Sequence, residues 1–218
     1  RAVLKTSFQE AARILRYGFL EDTLQKIGGN KIALGHTADD QVETVLINLL
    51  RGSGASGLSG IPPMRKPYIR PLIQSFRPEI IRFLKKEKVS FRTDASNQDR
   101  RYLRNRIRLD LVPKLVEEYN PKIQSHLLDM AEIFRDEDAL LEEVVRQKLD
   151  LCTLKGEPGV QITMDRNYFL MEPPALRKRL IRKAIRFVKG DLRRVTAGHV
   201  RSVDDLALNS VSGKSVHL

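Results

Sequence analysis

Cysteine occurs only once, at Cys152. One copy of the chain therefore cannot build an internal disulfide framework or a cysteine-rich zinc site. Such scarcity fits a reducing, cytoplasmic setting. No apolar run reaches the roughly 18 residues that a membrane-spanning helix needs, and no signal-peptide core lies near Arg1. Internal repeats and low-complexity tracts are also missing. A membrane partner is not expected on these grounds. The first residue is Arg rather than Met, which gives the expectation that the chain begins inside a longer protein.

What is present is positive charge. Lys and Arg number 39 against 27 Asp and Glu, a net +12, and the isoelectric point is near 10.0. A polyanion is the first partner to consider. Composition alone does not separate nucleic acid from acidic lipid or from a merely basic surface. The 218 residues, 41% of them hydrophobic, can build one large domain or two small ones. The oligomeric state is left open, a homodimer included.

Residues 7–27 read as a helix, with Ala11, Ala12, Leu15, Phe19 and Leu24 as its apolar stripe and Gly28-Gly29 as its stop. Lys31 to Gly35 reads as a short buried strand, and residues 38–50 as the next helix. Helix, strand and helix in turn are the rhythm of an open α/β sheet. The Gly- and Ser-rich stretch 52–63 reads as loop, residues 77–87 as a helix and Val89–Arg92 as a last strand. Beyond about Arg100 the helical period takes over, with one long helix expected over 121–150. Strand signals stop near Asn120-Pro121, and Pro opens helices well. That sets the expected boundary: an α/β domain over 1–120 and a mostly α-helical domain over 121–218.

The sequence His36-Thr37-Ala38-Asp39-Asp40-Gln41-Val42-Glu43-Thr44 lies where the strand runs into the helix, at the end of an α/β sheet that takes ligands. At 100° per residue, Asp39, Glu43 and Asp40 fall at about 0°, 40° and 100°, while Val42, Val45, Leu46 and Leu49 fill about 240° to 340°. Three carboxylates thus share a face beside the packing face. Such a cluster can hold Mg²⁺ or an ammonium group. A capping role is the plain alternative, since Thr37 and Asp40 can form a capping box and acids favour a helix N-terminus. Capping leaves Glu43 and His36 unexplained.

This segment resembles the second signature of the PP-loop ATP pyrophosphatases, His-x-x-Asp-Asp-Gln-x-Glu-Thr. Leu49-Leu50-Arg51-Gly52-Ser53-Gly54, Gly57-Leu58 and Arg70-Pro71-Leu72 resemble the tRNA(Ile)-lysidine synthase branch of that superfamily. So do Asp94-Ala95-Ser96-Asn97 and the run Tyr102-Leu103-Arg104-Asn105-Arg106-Ile107-Arg108, followed by Pro113, Leu115 and Asn120-Pro121. Upstream, Ala12-Arg13 and Arg16-Tyr17 match an Ala-Arg-x-x-Arg-Tyr segment. The likeness covers residues 7–121 in order. Past 121 it rests on helical character and basic composition.

One family feature is missing from the 218 residues. PP-loop enzymes carry a Ser-Gly-Gly-x-Asp-Ser loop whose N–H groups cradle ATP phosphates, and no such stretch occurs here. Ser212-Gly213-Lys214-Ser215 lacks the upstream Gly and preceding strand of a P-loop. The expectation is an N-terminal part absent from this chain, which alone should neither complete the reaction nor bind ATP usefully.

Arg100, Arg104 and Arg108 are four apart and are expected on one helical face, where guanidinium forks can grip phosphate. A solvated, ion-paired face is the plain alternative. The helix 175–189 is amphipathic. Lys178, Arg179, Arg182, Lys183, Arg186 and Lys189 occupy one arc and Leu176, Leu180, Ile181, Ala184, Ile185, Phe187 and Val188 the other. Between 177 and 194, nine Lys or Arg and one acid, Asp191, give nine minus one, +8. Contacts from such a face go to phosphates and position nucleic acid without reading it. Arg135 to Asp138 and Glu142-Glu143 read as solvated charges, Cys152 as structural, and His126, His199 and His217 as core or surface.

The resemblance implies a carbon–nitrogen ligase that modifies tRNA in the cytoplasm. ATP adenylates the C2 oxygen of a cytidine in the anticodon of an isoleucine tRNA, and the ε-amine of free L-lysine then displaces AMP. It implies ATP and Mg²⁺ as cofactors. Catalytic roles fall to Asp39, Asp40 and Glu43, metal contact to Asp39 and Asp40, and ATP contact to Arg13, Arg16, His36, Arg104, Asn105 and Arg108. The basic helix, through Lys178, Arg182, Arg186 and Lys189, would meet tRNA. A PP-loop enzyme inserting sulfur into tRNA is the nearest alternative, and Cys152 alone speaks against it. A non-catalytic tRNA-binding fragment is the alternative of another class.

Overall fold

The computed structural model describes residues 8–92, 94, 98–209, 215 and 216. Ala95, Ser96, Asn97, Ser212, Gly213, Lys214 and His217 lie outside these. Among the described residues the protein is mixed α/β and mostly helical. It divides into two compact units, 1–136 and 137–218.

In the first unit, α1 (Phe8–Lys26) ends where Gly28 takes a left-handed φ of 63°. The expected apolar stripe does not seat it, since Leu15 and Phe19 are exposed. The face turned to the sheet carries Tyr17 and Glu21 instead. The Tyr17 ring lies 4.9 Å from that of Tyr68, and the Tyr68 hydroxyl donates to Glu21. Aromatic packing with a polar tip replaces a plain hydrophobic stripe.

β1 (Ile32–Ala33) runs parallel to β3 (Tyr68–Ile69), with Ile32 opposite Tyr68, and β2 (Met64–Arg65) pairs antiparallel with β3. The sheet order is β1-β3-β2. α2 (Ala38–Leu50) starts where the sequence places it. Its Val42, Val45 and Leu46 are buried with Ile107, Val112, Leu127 and Ala131. Each such aliphatic contributes roughly 1.5–3 kcal/mol by leaving water. Leu49 stays exposed.

The Gly- and Ser-rich stretch contains a one-turn helix, α3 (Ala55–Leu58). Its exit is pinned by Gln41, whose amide accepts from Ile61 N at 2.6 Å and donates to Ile61 O at 3.3 Å. Gly60 passes over that amide with φ 67°, where a Cβ would stand 2.6 Å from the Gln41 oxygen. The Gly- and Ser-rich composition of this loop hid an ordered turn that a buried side chain organises.

α4 (Arg77–Lys86) follows. The expected strand at Val89–Arg92 does not form. Val89 and Phe91 are exposed, and with no partner strand alongside among the described residues, β-propensity has nothing to pack on. Then comes one helical run in three parts: α5 (Leu103–Arg106), a π-helical turn (Ile107–Leu111) and α6 (Val112–Glu118). Pro113 has no N–H to offer an α-type bond, and a π turn is one way to absorb such a gap.

α7 (Ile123–Cys152) opens just after Asn120-Pro121. Leu127 and Ala131 belong to the first core, Val145 and Cys152 to the second. Packing thus divides the chain inside this helix, at 136/137.

The second unit contains strands that the helical period concealed. β4 (Thr153–Glu157) and β5 (Gln161–Met164) form an antiparallel hairpin. Pro158-Gly159 between them is a turn signal, with Gly159 at φ 78°. α8 (Arg166–Met171) is capped by Asp165, which accepts from Asn167 N and Tyr168 N at 2.8 and 3.1 Å. α9 (Pro174–Lys189) ends on Gly190 at φ 84°, and α10 (Ala197–Leu208) completes the unit. Phe169, Leu180, Ile181, Ile185 and Val200 join Val145 and Cys152 in its core.

Candidate active site and basic face

The carboxyl end of β1 delivers His36 and the first turn of α2. There Asp40 does what a capping box asks: one oxygen accepts from Thr37 N at 2.8 Å and from the Thr37 hydroxyl at 3.2 Å. Its other oxygen takes Arg104 Nη2 at 3.1 Å. Capping and a site role therefore coexist in one carboxylate. Asp39 accepts from Arg77 N at 2.8 Å, tying α2 to the start of α4.

Glu43 is 2% exposed. Its two oxygens are each held by a different guanidinium, Arg104 Nε at 2.6 Å and Arg108 Nε at 2.5 Å. Arg108 also lies 3.6 Å from Asp40. Burial works against the charge of Arg108, but the Glu43 hydrogen bond and the charges of Glu43, Asp40 and Asp39 outweigh it and raise its pKa. Two acids and two arginines thus form a closed, mutually neutralising cluster.

The expected three-arginine face is reduced to two. Arg100 precedes the helix and pairs with Asp110 at 3.0 Å, because the helix begins only at Leu103. Arg101 is spent on Asp99 at 2.7 Å. Asn105 is buried and donates its amide to the Asp99 carbonyl at 2.9 Å, holding the preceding loop.

His36 has a buried Nδ1 with no partner among the described residues. Burial foremost lowers its pKa; Asp40 pulls the other way, and Arg70, Arg104 and Arg13 add to the lowering. Arg13 sits over the Tyr17 ring at 5.2 Å. Arg16, exposed on α1, forms no ion pair among the described residues. Arg70 comes with the family-like Arg-Pro-Leu segment, but the sequence gives it no role. It is buried, and its Nη1 donates to Pro62 O at 2.8 Å.

Among the described residues no three His, Cys, Asp or Glu gather into a metal-binding group. Asp40 and Glu43 have both oxygens engaged, and Asp39 one. This donor set does not fit an all-protein metal site. It fits an ion such as Mg²⁺ that keeps its waters and brings phosphate oxygens, needing one or two carboxylates from the protein.

α9 presents a divided arc. Arg177, which falls inside the apolar arc, is buried and bidentate on Asp204 at 2.7 and 3.2 Å. Arg179 reaches Asp138 at 2.7 Å and Glu142 at 3.5 Å, and Lys183 also pairs with Glu142. Asp138 and Glu142 are thus partners of the basic helix, not idle solvated charges. Lys178, Arg182 and Arg186 are exposed and make no ion pair among the described residues. Lys189 donates to Arg193 O and lies 3.8 Å from Asp191. Cys152 is fully buried and burial pushes its thiol pKa up, the reverse of a reactive thiolate. No described helix is long and apolar enough to cross a membrane.

Residues 1–115 match the family model described as a PP-loop domain. The chain is 40% identical over 216 residues to the tRNA(Ile)-lysidine synthase of Geobacter sulfurreducens, covering 98% of this chain and 45% of that protein. It is 37% identical over 209 residues to the enzyme of the same name from Caldanaerobacter subterraneus subsp. tengcongensis, covering 95% and 44%. With that of Clostridium acetobutylicum it shares 34% over 215 residues, covering 98% and 46%. The chain spans a little under half the length of these relatives.

Proposed function

The chain belongs to the PP-loop domain family, and from that premise we propose that it is the core of a tRNA(Ile)-lysidine synthase, an ATP-dependent carbon–nitrogen ligase. The reading extends to a partial PP-loop nucleotide domain over about 1–120, built on an open parallel sheet, and a helical tRNA-binding domain beyond. The observation that carries it is the Asp40–Glu43–Arg104–Arg108 cluster at the carboxyl end of β1. Similarity to synthases along nearly the whole chain supports the substrate assignment.

In the proposed reaction the C2 oxygen of the wobble cytidine of an isoleucine tRNA attacks the α-phosphorus of ATP, and diphosphate leaves. The neutral ε-amine of lysine then attacks C2. AMP departs with the former C2 oxygen, and the amine loses a proton.

Residues divide the work by their accessibility. Glu43, sealed between two guanidinium groups, is a positioning residue that holds Arg104 and Arg108 toward the developing phosphate charge. Asp39 and Asp40, partly exposed, serve as catalytic carboxylates that take the lysine ammonium and accept its protons. Mg²⁺ arriving with the nucleotide would use Asp39 and Asp40 and supply neutralisation of the leaving diphosphate. His36, Arg13 and Arg16 line the nucleotide side, while Asn105 stabilises the loop beneath. Lys178, Arg182, Arg186 and Lys189 meet tRNA phosphates. Sulfur insertion is disfavoured by the burial of Cys152.

The test uses the complete protein. Asp40→Asn should abolish transfer of radiolabelled lysine to tRNA while a filter-binding isotherm for tRNA stays nearly unchanged. Near-normal transfer would return Asp40 to a capping role alone.

A further inference from the structure

The cations of α4 are unspent. Arg82, Lys85 and Lys86 are exposed and make no ion pair among the described residues. Elsewhere in the first unit the arginines are engaged: Arg104 and Arg108 with Asp40 and Glu43, Arg100 with Asp110, Arg101 with Asp99. The one acid within α4, Glu79, turns back to accept from Phe76 N at 2.8 Å. At 100° per residue, Lys85, Arg82 and Lys86 fall at about 80°, 140° and 180° from Arg77, and Phe83 at about 240°. Ile80, Leu84 and Ile81 fall at about 300°, 340° and 40° and are half-buried. Phe83 therefore lies beside the cations and outside the packed seam, and it is 61% exposed.

The pattern continues past the helix. Lys88 N bonds to Lys85 O at 3.2 Å and Val89 N to Leu84 O at 2.9 Å, closing α4 with Lys88 at φ 55°. Glycine usually fills this left-handed position, so the sequence keeps a cation where glycine would sit with less strain. Phe91 is 45% exposed and Arg92 is exposed. Over 82–92, Arg82, Lys85, Lys86, Lys88 and Arg92 stand against one acid, Glu87: five minus one, +4.

Cations interleaved with exposed rings suit single-stranded RNA, whose phosphates follow the cations and whose bases stack on the rings. A lipid surface would need a broad apolar face turned outward; that face of α4, Ile80, Ile81 and Leu84, is turned inward. The location fits RNA as well. α4 opens at the candidate site, where Asp39 accepts from Arg77 N at 2.8 Å. At 1.5 Å per residue, Arg82 and Lys86 lie about 8 and 14 Å further along the axis, within reach of the nucleotides next to a base held in that site.

We propose that residues 82–92 form a surface for single-stranded RNA, with Arg82, Lys85 and Lys86 on phosphates and Phe83 against an unpaired base. That this RNA is the loop of a tRNA rests on the lysidine-synthase reading. The binding itself does not.

The experiment uses the complete protein. It measures fluorescence anisotropy of a labelled single-stranded RNA of about twelve nucleotides, of the same RNA annealed to its complement, and sedimentation with phosphatidylserine vesicles. Phe83→Ala should weaken the single strand by about tenfold or more, the value of one stacked base, and leave the duplex unchanged. Phe83→Trp should keep the single strand bound. Lys85 and Lys86 changed together to Gln should lower the magnitude of the slope of log K against log salt by about 0.7 per lost contact. These side chains are exposed, so the thermal midpoint should stay where it is in every variant. Unchanged single-strand affinity in both the Phe83→Ala and the lysine variant overturns the surface. An equal loss on single strand and duplex in Phe83→Ala overturns the stacking role. Vesicle binding that these variants abolish, with RNA binding intact, overturns the occupant. Lysine transfer is not read, so failure of the proposed reaction would leave this result standing.

Discussion

Replacing Glu43 by Gln tests whether the arginine clamp is one coupled unit. The substitution keeps shape and removes charge. Glu43 is 2% exposed and accepts from Arg104 Nε and Arg108 Nε at 2.6 and 2.5 Å. In Gln one terminal atom still accepts, but the other is an NH₂ that faces an N–H donor. One bond keeps only the guanidinium's charge and the other becomes a donor–donor contact. Hydrogen bonds to charged groups are worth about 1.5–3 kcal/mol, and removing one partner of a buried ion pair costs about 3–5. The Arg104 and Arg108 side chains are 39% and 26% exposed and can recover water, so the lower end applies, about 2 kcal/mol. For a chain of this size that lowers the melting midpoint by about 4–8 °C. Urea denaturation should agree, with the slope against denaturant unchanged. A double-mutant cycle with Arg108→Gln should show coupling of about 1–2 kcal/mol. In the complete protein lysine transfer should collapse. A loss below about 0.5 kcal/mol with no coupling would place the pair among ordinary surface ion pairs and remove the basis for calling Glu43 a positioning residue.

Three further outcomes follow from the same structure. Changing Arg182 and Arg186 together to Gln in the complete protein should reduce the magnitude of the slope of log K against log salt by about 0.7 to 0.9 per lost phosphate contact. It should weaken cognate and non-cognate tRNA alike; a selective loss would mean that this face reads identity. Asp204→Asn should destabilise the second unit by about 3 kcal/mol in thermal unfolding, because Arg177 is buried against it at 2.7 Å; a change under about 1 kcal/mol would contradict that burial. The lowered pKa of His36 predicts a pH effect. Its folded pKa lies below the unfolded value of about 6.5, so its contribution is complete above that pH and is lost as pH falls toward the folded pKa. Denaturation at pH 7.5 and 5.5 should show a drop that His36→Asn diminishes, and an unchanged drop would assign it to other groups.

Legibility in the sequence followed the range of the forces involved. The helix 38–50 was readable to the residue because a cap at Thr37 and an apolar arc of Val42, Val45 and Leu46 are local signals that agree with one another. The motif also placed Asp40, Glu43, Arg104 and Arg108 in one site, through likeness. Spacing alone misjudged their partnership. It put Arg100 on the same face, whereas the helix starts three residues later, at Leu103. It read Glu43 as an open carboxylate, since nothing local reveals that residues 61 and 65 positions downstream will seal it. The same blindness to distance explains α1, where Leu15 and Phe19 mimic a core stripe while Tyr17 and Glu21 find Tyr68. It also explains β3, two residues long, which pairs in parallel with β1 from more than thirty positions downstream. On α9 the periodicity located both faces, yet it could not tell Arg179 and Lys183, bound to Asp138 and Glu142, from Lys178, Arg182 and Arg186. Charge density in a sequence counts groups; the charge available to a polyanion is what remains after the fold has spent the rest on its own carboxylates. By that measure the basic residues of α9 that are left for a polyanion are Lys178, Arg182 and Arg186, along one edge of the helix.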